Sequence, residues 1–301
     1  MGLIALDYID KELACQLTNL EEQQRSPSRT SKAPRIKVCF KTVRHYWKIY
    51  RTFFKSSFAR ELQFRANFIA KMLQNTVWFG FFLVVLFVVY ANVKTIAGWD
   101  RREAQILGAT LYIVSSLNKL IAASLLEIPN HVRQGTLDFI VTKPVDSQFW
   151  VSVRKFNFAE IGSLLGGIVL VSISLVGIHP TFIQFALYIV GIICAVVNLY
   201  GFQLMLMTTG IYFIRIDNLW VLGETLTGLG RYPMDIYPTG LRYLLTFILP
   251  VAFFAYFPAL QLVRQPSILV AGEAIALAIV FFVLSRLWWR YSMKHYSSAS
   301  S

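Results

Sequence analysis

Five ionisable residues lie within or at the edges of long apolar stretches of the sequence: Lys119, Glu160, Glu224, Glu273 and Arg286. Such residues are typical of ion pathways, proton relays and coupled carriers, because a charge inside a membrane is costly and is kept there for a function. No two of the five are paired by their spacing. Glu160 and Arg286 also fall near the ends of their apolar stretches, where a charged head can reach the interface. An ion-coupled carrier or channel is therefore open as an alternative, but the pattern does not favour it.

The histidines and cysteines of the sequence are scattered, without the spacing of a metal, haem or disulfide site. The sequence also lacks a phosphate-binding loop of the form G-x-x-x-x-G-K-[ST], a dinucleotide fingerprint, H-E-x-x-H and G-x-S-x-G. We therefore expect no catalytic residues, no cofactor and no metal site in this chain. The residues concerned are His45, His131, His179, His295, Cys15, Cys39 and Cys194.

The composition favours a membrane protein. Hydrophobic residues make up 56% of the chain and charged residues only 15%, whereas about 25% of an ordinary globular domain is charged. Too few polar residues are present to cover the surface of a soluble protein of this size. The net charge of +13 is concentrated at the ends of apolar stretches, which indicates contact with anionic lipid rather than nucleic acid.

The apolar stretches predict an all-α integral membrane protein with about six transmembrane helices, since a span needs about 20 apolar residues. The fifth stretch contains Pro250 and Pro258, so we expect part of it to be broken or re-entrant. The third contains Gly162, Gly166 and Gly167, which permit close helix packing. The predicted spans are residues 67–92, 104–126, 158–178, 182–214, 240–262 and 267–289.

The distribution of lysine and arginine predicts the orientation. The N-terminal region, the loops 127–156 and 215–242 and the C-terminal tail are basic, while the short connections at 179–181 and 263–266 are nearly free of charge. The loop after the first span is an exception, because it mixes cations with acids. By the positive-inside rule both termini are cytoplasmic, and the segment 231–238 is expected on the cytoplasmic side as well.

The N-terminal region is predicted to contain two parts. Residues 1–34 are polar and are expected to form a disordered cytoplasmic extension. Over residues 35–60, aromatic and basic residues recur every three or four positions, the basic stripe one position later. This pattern is typical of a helix that lies in the membrane interface. The expected interfacial contacts are Lys41, Arg44, Trp47, Lys48, Arg51 and Phe54.

The loop 127–156 carries more hydrophobic residues than a solvated connection needs. It has helix-start and helix-stop signals at Pro129 and Gly135, followed by a compact apolar segment, Thr136 to Val141. We expect a folded loop that docks onto another surface. Either a separate subunit or the membrane domain of the same chain fits this expectation.

Two motifs carry a resemblance to a known family. The loop after the second span has the form R-x-G-x-L-D-F-x-x-x-x-P, and the segment before the fifth span reads G-R-Y-P-M-D-I-Y-P. Together they resemble permease subunits of the ABC-2 type exporter family, most closely the bacterial branch of six-span, stand-alone permeases. The resemblance covers about residues 40–295. The residues that carry it are Arg133, Gly135, Leu137, Asp138, Phe139 and Pro144, and Gly230, Arg231, Tyr232, Pro233, Asp235, Ile236, Tyr237 and Pro238.

The resemblance implies a non-catalytic, multi-pass subunit of the inner membrane within an ATP-driven exporter. A dimer of separate ATPase subunits would supply ATP hydrolysis, and a second copy or a related permease would complete the substrate pathway. One domain, residues 35–295, would be followed by a tail at 296–301. The loop after the second span would be the ATPase-coupling loop, with Glu127, His131, Arg133, Gly135, Leu137, Asp138 and Phe139. A structural turn would contain Arg231, Tyr232, Pro233, Asp235, Tyr237 and Pro238.

Overall fold

The computed structural model describes residues 35–212 and 219–296, and the predicted extension at 1–34 lies outside them. The chain forms two compact units, residues 1–48 and residues 49–301. In the first unit the described residues belong to one helix, which continues into the second unit. The remaining elements all belong to the second unit.

The described residues are almost entirely helical, as the composition predicts. Short 3-10 turns at Ala123–Glu127, Phe158–Glu160, Met234–Ile236 and Val251–Phe254 and a π-helical turn at Leu244–Ile248 connect the longer elements. A two-stranded hairpin pairs Thr95 with Asp100. In chain order the elements are α1 (Arg35–Gln63), α2 (Arg65–Asn92), β1 (Thr95–Ile96), β2 (Trp99–Asp100), α3 (Arg101–Ala122), α4 (Ile128–Arg133), α5 (Asp138–Val141), α6 (Ser147–Val153), α7 (Ile161–Ser174), α8 (Phe182–Thr209), α9 (Leu219–Leu229), α10 (Thr239–Tyr243), α11 (Tyr256–Val263) and α12 (Ile268–His295).

Four helices of the described chain are long and apolar enough to cross a membrane: α2, α3 with its continuation to Arg133, α8 and α12. A fifth candidate is the bent pair formed by α6 and residues 158–174, which meet at 51°. The bundle has two ends. We call the end with residues 93–100 the hairpin end and the end with residues 127–156 the loop end.

Local capping sets where two of the spanning helices begin. At the start of α3, the Asp100 carboxylate accepts the Glu103 backbone N–H at 2.8 Å, and Glu103 accepts the Asp100 N–H at 3.0 Å. Thr181 and Gln184 make the same reciprocal pair of bonds at the start of α8. Each capping box satisfies backbone donors that a helix end leaves unpaired. These starts agree with the predicted spans to within a few residues.

Glycines bring the helices close together. A Cβ at Gly201 on α8 would lie 3.0 Å from the Phe281 carbonyl oxygen on α12, and a Cβ at Gly167 on α7 would lie 3.2 Å from the Ala109 oxygen on α3. Neither helix pair has room for a side chain at these points. The close packing predicted for the glycine-rich third stretch is therefore present.

The predicted fifth span is not a continuous helix. Residues 239–263 form α10, a π-helical turn, a 3-10 turn and α11 in succession, and the interruption falls at the prolines. Both ends of this segment lie at the hairpin end. Asp235, just before it, accepts the indole N–H of Trp99 at 3.2 Å, and Arg264, just after it, donates to the Gly98 carbonyl at 2.8 Å. The segment therefore enters the bundle and returns to the same end.

These contacts correct the predicted position of residues 231–238. They were expected on the same side as the loop 127–156, but they lie at the opposite end of the bundle. Helix α9 explains the difference. It leaves the loop end, where Leu219 is buried with Met207 and Trp289, and the residues after its C-terminus continue to the hairpin end, where Asp235 meets Trp99. From the sequence, α9 was expected to be part of a connection between two spans.

Candidate coupling loop and membrane-embedded polar cluster

The loop 127–156 is folded, and its apolar side chains pack on the membrane helices. Leu137 is completely buried, in one cluster with Ile128, Val132 and Ile140 of the loop and with Leu204 of α8. Gly135 has φ +66°, a backbone conformation that side-chain-bearing residues rarely adopt, and this lets the chain turn between α4 and α5. Of the two docking surfaces predicted for this loop, its own membrane domain therefore takes up most of the apolar residues.

Phe139 differs from these buried apolar residues. Its side chain is 71% exposed, although it lies in the helical turn α5, two residues after the buried Leu137. The adjacent Asp138 carboxylate lies near Tyr296, and burial, together with that negative charge, raises the pKa of the Tyr296 hydroxyl. The loop thus presents one large aromatic ring outward from a folded base.

The predicted polar contact residues bind other residues of the same loop. Glu127 forms an ion pair with Lys155, and Arg133 donates to the Asn130 side-chain oxygen at 2.7 Å. The His131 ring contacts the chain after the Gly135 turn, with Nδ1 2.8 Å from the Thr136 hydroxyl. These bonds stiffen the loop.

A polar clamp fastens the loop to the last helix. Asp146, which caps α6 by accepting the Phe149 N–H at 3.0 Å, forms a two-fold ion pair with Arg286 of α12. Arg286 also donates to the Gln148 side chain at 2.7 Å, and Gln148 donates in turn to the Tyr200 hydroxyl of α8 at 3.1 Å. The start of α6 is therefore held by both α8 and α12.

The electrostatics of the loop follow from these contacts. The hydrogen bond from Arg286, opposed in part by burial, lowers the pKa of the Asp146 carboxyl. The Lys143 ammonium lies 3.8 Å from the centre of the Trp150 ring, and burial, followed by the charge of Arg154, lowers its pKa. A cation placed over an indole face is stabilised by the ring quadrupole.

A second polar cluster lies within the membrane-spanning part. Lys119 of α3 forms an ion pair with Glu224 of α9 at 2.5 Å. Glu160, at the start of α7, accepts from the side-chain amides of Asn75 and Asn157 at 3.3 Å each. The Lys119 and Glu224 side chains remain 25% and 30% exposed, so the cluster opens to the surface of this chain.

Two of these pairs were not predicted from the sequence. Lys119 and Glu224 are 105 residues apart and Asp146 and Arg286 are 140 apart, so no local spacing connects them. Glu273, the remaining candidate, is exposed near the start of α12. A shared signal was present: each pair joins opposite charges that flank or interrupt apolar stretches.

The segment 230–238 is a compact turn, and several of its side chains make contacts within the protein. The Tyr237 hydroxyl donates to the Leu229 carbonyl at 2.9 Å, and Pro233 precedes the 3-10 turn. Asp235 also accepts the Tyr256 hydroxyl at 2.8 Å. The Arg231 guanidinium stacks over the Tyr112 ring at 5.3 Å. Of the remaining predicted residues, Tyr232 is 48% exposed and Pro238 directly precedes α10.

Comparison with protein families gives one match. The family described as ABC-2 family transporter protein matches residues 76–300. The chain belongs to this family. A comparison with individual curated proteins gives no match. The resemblance found in the two motifs is thereby confirmed, and this ABC-2 protein is a multi-pass membrane subunit of an ABC transporter.

The match begins inside α2, so α1 of this ABC-2 protein lies outside it. Within the second compact unit, Phe54 and Phe58 of α1 pack edge-to-face on Phe158 at 5.2 and 5.5 Å. The buried Ser57 hydroxyl accepts the Phe156 N–H at 3.2 Å. Part of the predicted aromatic face is therefore turned toward the protein.

From Arg44 onward, the basic face of α1 is exposed. The predicted contacts Arg44, Lys48 and Arg51 are exposed, and Trp47 is 63% exposed. The predicted contact Lys41 lies outside the residues whose side chains are described. Within the described chain of this ABC-2 protein, no group of three or more histidine, cysteine or acidic residues could hold a metal ion.

Proposed function

We propose that this ABC-2 subunit is an exporter permease and that the loop 127–156 couples it to ATP hydrolysis in a separate subunit. The observation that carries the proposal is the loop itself: a rigid base fastened to α8 and α12 exposes one aromatic ring, Phe139. A buried aromatic anchor is typical of stable protein interfaces. The partner that accepts it would be a separate ATPase dimer, since this sequence has no phosphate-binding loop.

The remaining residues of the loop have distinct parts in this proposal. Glu127, His131 and Arg133 hold its shape, Leu137 anchors it to the bundle, and Gly135 permits the turn. Asp138 and Phe139 face the ATPase. The ABC-2 subunit itself performs no catalysis.

The substrate pathway is assigned to the face that carries the Lys119–Glu224 pair. Charged side chains at membrane depth face a water-filled cavity or another protein rather than lipid. These two remain partly exposed in the single chain. A second permease, identical or related, would cover this face and enclose the pathway between the two subunits.

The proposed topology has six crossings, with α9 rather than residues 240–262 as the fifth. Helix α9 has 11 residues and is about 16 Å long, so the chain on either side of it completes the crossing. Residues 239–263 are then a re-entrant segment at the outer face, and the structural turn 231–238 supports it. Both termini are cytoplasmic, and the inner membrane is the expected location.

The proposed domain organisation has one six-span domain, residues 35–295, between the extension and the tail. The interfacial contacts of α1 are Lys41, Arg44, Trp47, Lys48, Arg51 and Phe54. In this arrangement the basic face of α1 meets lipid headgroups.

The test is co-purification from detergent-solubilised membranes of the native host. A Phe139→Asp variant is expected to lose the ATPase subunit that the unchanged chain retains. Phe182→Asp is the matched control, since Phe182 is 85% exposed but lies at the hairpin end. Retention of the ATPase by both variants would place docking elsewhere. Its absence from a well-inserted unchanged chain would make the ion-coupled carrier the better explanation.

A further inference from the structure

A groove at the loop end of α12 adjoins the polar clamp, with which it shares Asp146 and Arg286. Its volume is about 590 Å³, and its walls come from α12 and from the start of α6. The polar clamp holds one wall in place through Asp146 and Arg286. The indole N–H of Trp289 donates to the Ser147 hydroxyl at 3.1 Å and fixes the wall a turn further along.

The groove is positively charged. Arg286, Arg290 and Lys294 line it and follow one another at intervals of four residues, so they form one stripe about 12 Å long. Asp146 balances the charge of Arg286. In the part of the chain that the structure describes, no carboxylate lies within ion-pair distance of Arg290 or Lys294.

An apolar stripe continues from the groove toward the hairpin end. Leu287 lines the groove itself and is 55% exposed, and Leu284 and Val280, one and two turns away, are 43% and 47% exposed. The Tyr291 ring also lines the groove, next to Arg290 in sequence, and is 52% exposed. Tyrosine rings concentrate at the level of lipid headgroups, because one end is apolar and the other polar.

We propose that this groove binds an anionic phospholipid, with the headgroup between Arg290 and Lys294 and an acyl chain along Leu287, Leu284 and Val280. Free phosphate would satisfy the two cations but would leave the apolar stripe uncovered. The stripe and the cations share one face of one helix, which matches the two halves of a lipid. The site depends on neither an ATPase nor a transported substrate.

The test titrates the full-length, delipidated chain in mild detergent with dioleoyl phosphatidylglycerol and follows bound lipid by native mass spectrometry. Each basic residue near a headgroup strengthens binding about five-fold, so the Arg290→Gln, Lys294→Gln double variant should bind about 30-fold more weakly. The control is Arg60→Gln, Arg65→Gln. It removes two exposed arginines from the α1–α2 junction, outside the groove, and should bind within two-fold of the unchanged chain.

Other ligands test separately whether the headgroup charge and the acyl chain contribute to binding. Dioleoyl phosphatidylcholine and inorganic phosphate should bind much more weakly than phosphatidylglycerol. Equal binding of phosphatidylcholine, or equal weakening in both double variants, would overturn the proposal. Binding of inorganic phosphate or short-chain dihexanoyl phosphatidylglycerol as tight as that of the long-chain lipid would also overturn it, since the acyl stripe would then have no part.

Discussion

Replacing Asp146 by asparagine separates two roles of this side chain. The carboxylate caps α6 through the Phe149 N–H, and it forms the two-fold ion pair with Arg286. Asparagine caps a helix about as well as aspartate, so Asp146→Asn removes the ion pair and leaves the cap. Arg286→Gln removes the same pair from the other side. Together with the double variant they form a thermodynamic cycle.

The size of the coupling follows from the exposure of the pair. Breaking a fully buried ion pair costs about 3–5 kcal/mol, whereas an exposed one contributes about 0–1 kcal/mol. The Arg286 and Asp146 side chains are 27% and 32% exposed, which places them between these limits. We expect a coupling free energy of about 1–2 kcal/mol. Asp146→Ala should cost about 1 kcal/mol more than Asp146→Asn, because it also removes the cap.

The assay is unfolding of the purified chain by added sodium dodecyl sulfate in a fixed detergent and lipid mixture, read by circular dichroism. The three variants and the unchanged chain are compared at neutral pH. The reasoning would be refuted if the two single changes add within about 0.3 kcal/mol in the double variant, since independent sites add to that precision.

The pH dependence of stability is a second test of the Asp146–Arg286 ion pair. Because Arg286 lowers the pKa of Asp146 in the folded chain, the stabilisation is fully present above the ordinary aspartate pKa of about 3.9. It is lost as the pH falls through the lower, folded value. The stability difference between the unchanged chain and Asp146→Asn should therefore shrink below about pH 4. A difference that stays constant to pH 2 would contradict the assignment.

Three further outcomes follow from the packing, the polar cluster and the topology. Gly201→Val should destabilise the α8–α12 contact by about 1–3 kcal/mol in the same unfolding assay, because its Cβ meets the Phe281 backbone, while Gly272→Ala, in open space, should be nearly neutral. Lys119→Met should lower the yield of folded protein in a detergent-extraction assay, because it leaves Glu224 unpaired. Adding Glu224→Met should restore the yield, and a double variant that does not recover would contradict the pairing. The topology is tested with single cysteines in a chain otherwise without cysteine, labelled by a membrane-impermeant maleimide. Tyr232→Cys and Lys94→Cys should be labelled from one side of the membrane and Phe139→Cys from the other. Labelling of Tyr232→Cys from the same side as Phe139→Cys would support the topology expected from charge alone.

The sequence predicted the elements that depend on local patterns. Apolar length located α2, α3, α8 and α12, and the prolines at 250 and 258 predicted the interruption between α10 and α11. The signals at Pro129 and Gly135 predicted a folded loop, since they act on the backbone within a few residues. Each of these features is decided within one helix length.

The side of the segment 231–238 depends on long-range contacts, and there charge counting failed. Arg231 and Arg242 were counted as cytoplasmic cations. In the structure Arg231 stacks over aromatic rings and Arg242 lies 3.4 Å from the Asp235 carboxylate. An arginine that is matched within the protein no longer reports the side of the membrane. Asp235 lies between the two arginines in the sequence, and an acidic residue there indicates that one of them can be paired within the protein.

The attachment of the loop determines which helices a force on it reaches. Its apolar base packs against α8 and its polar clamp binds α12, and these two helices meet closely at Gly201. We infer that a displacement of α6 moves α8 and α12 as one body. Helix α3 is joined to α8 as well, because the buried Asn118 amide, next to Lys119, donates to the Gln203 side chain at 2.7 Å. The Lys119–Glu224 pair then links α3 to α9, so a displacement of α6 reaches this ion pair through α8 and α3.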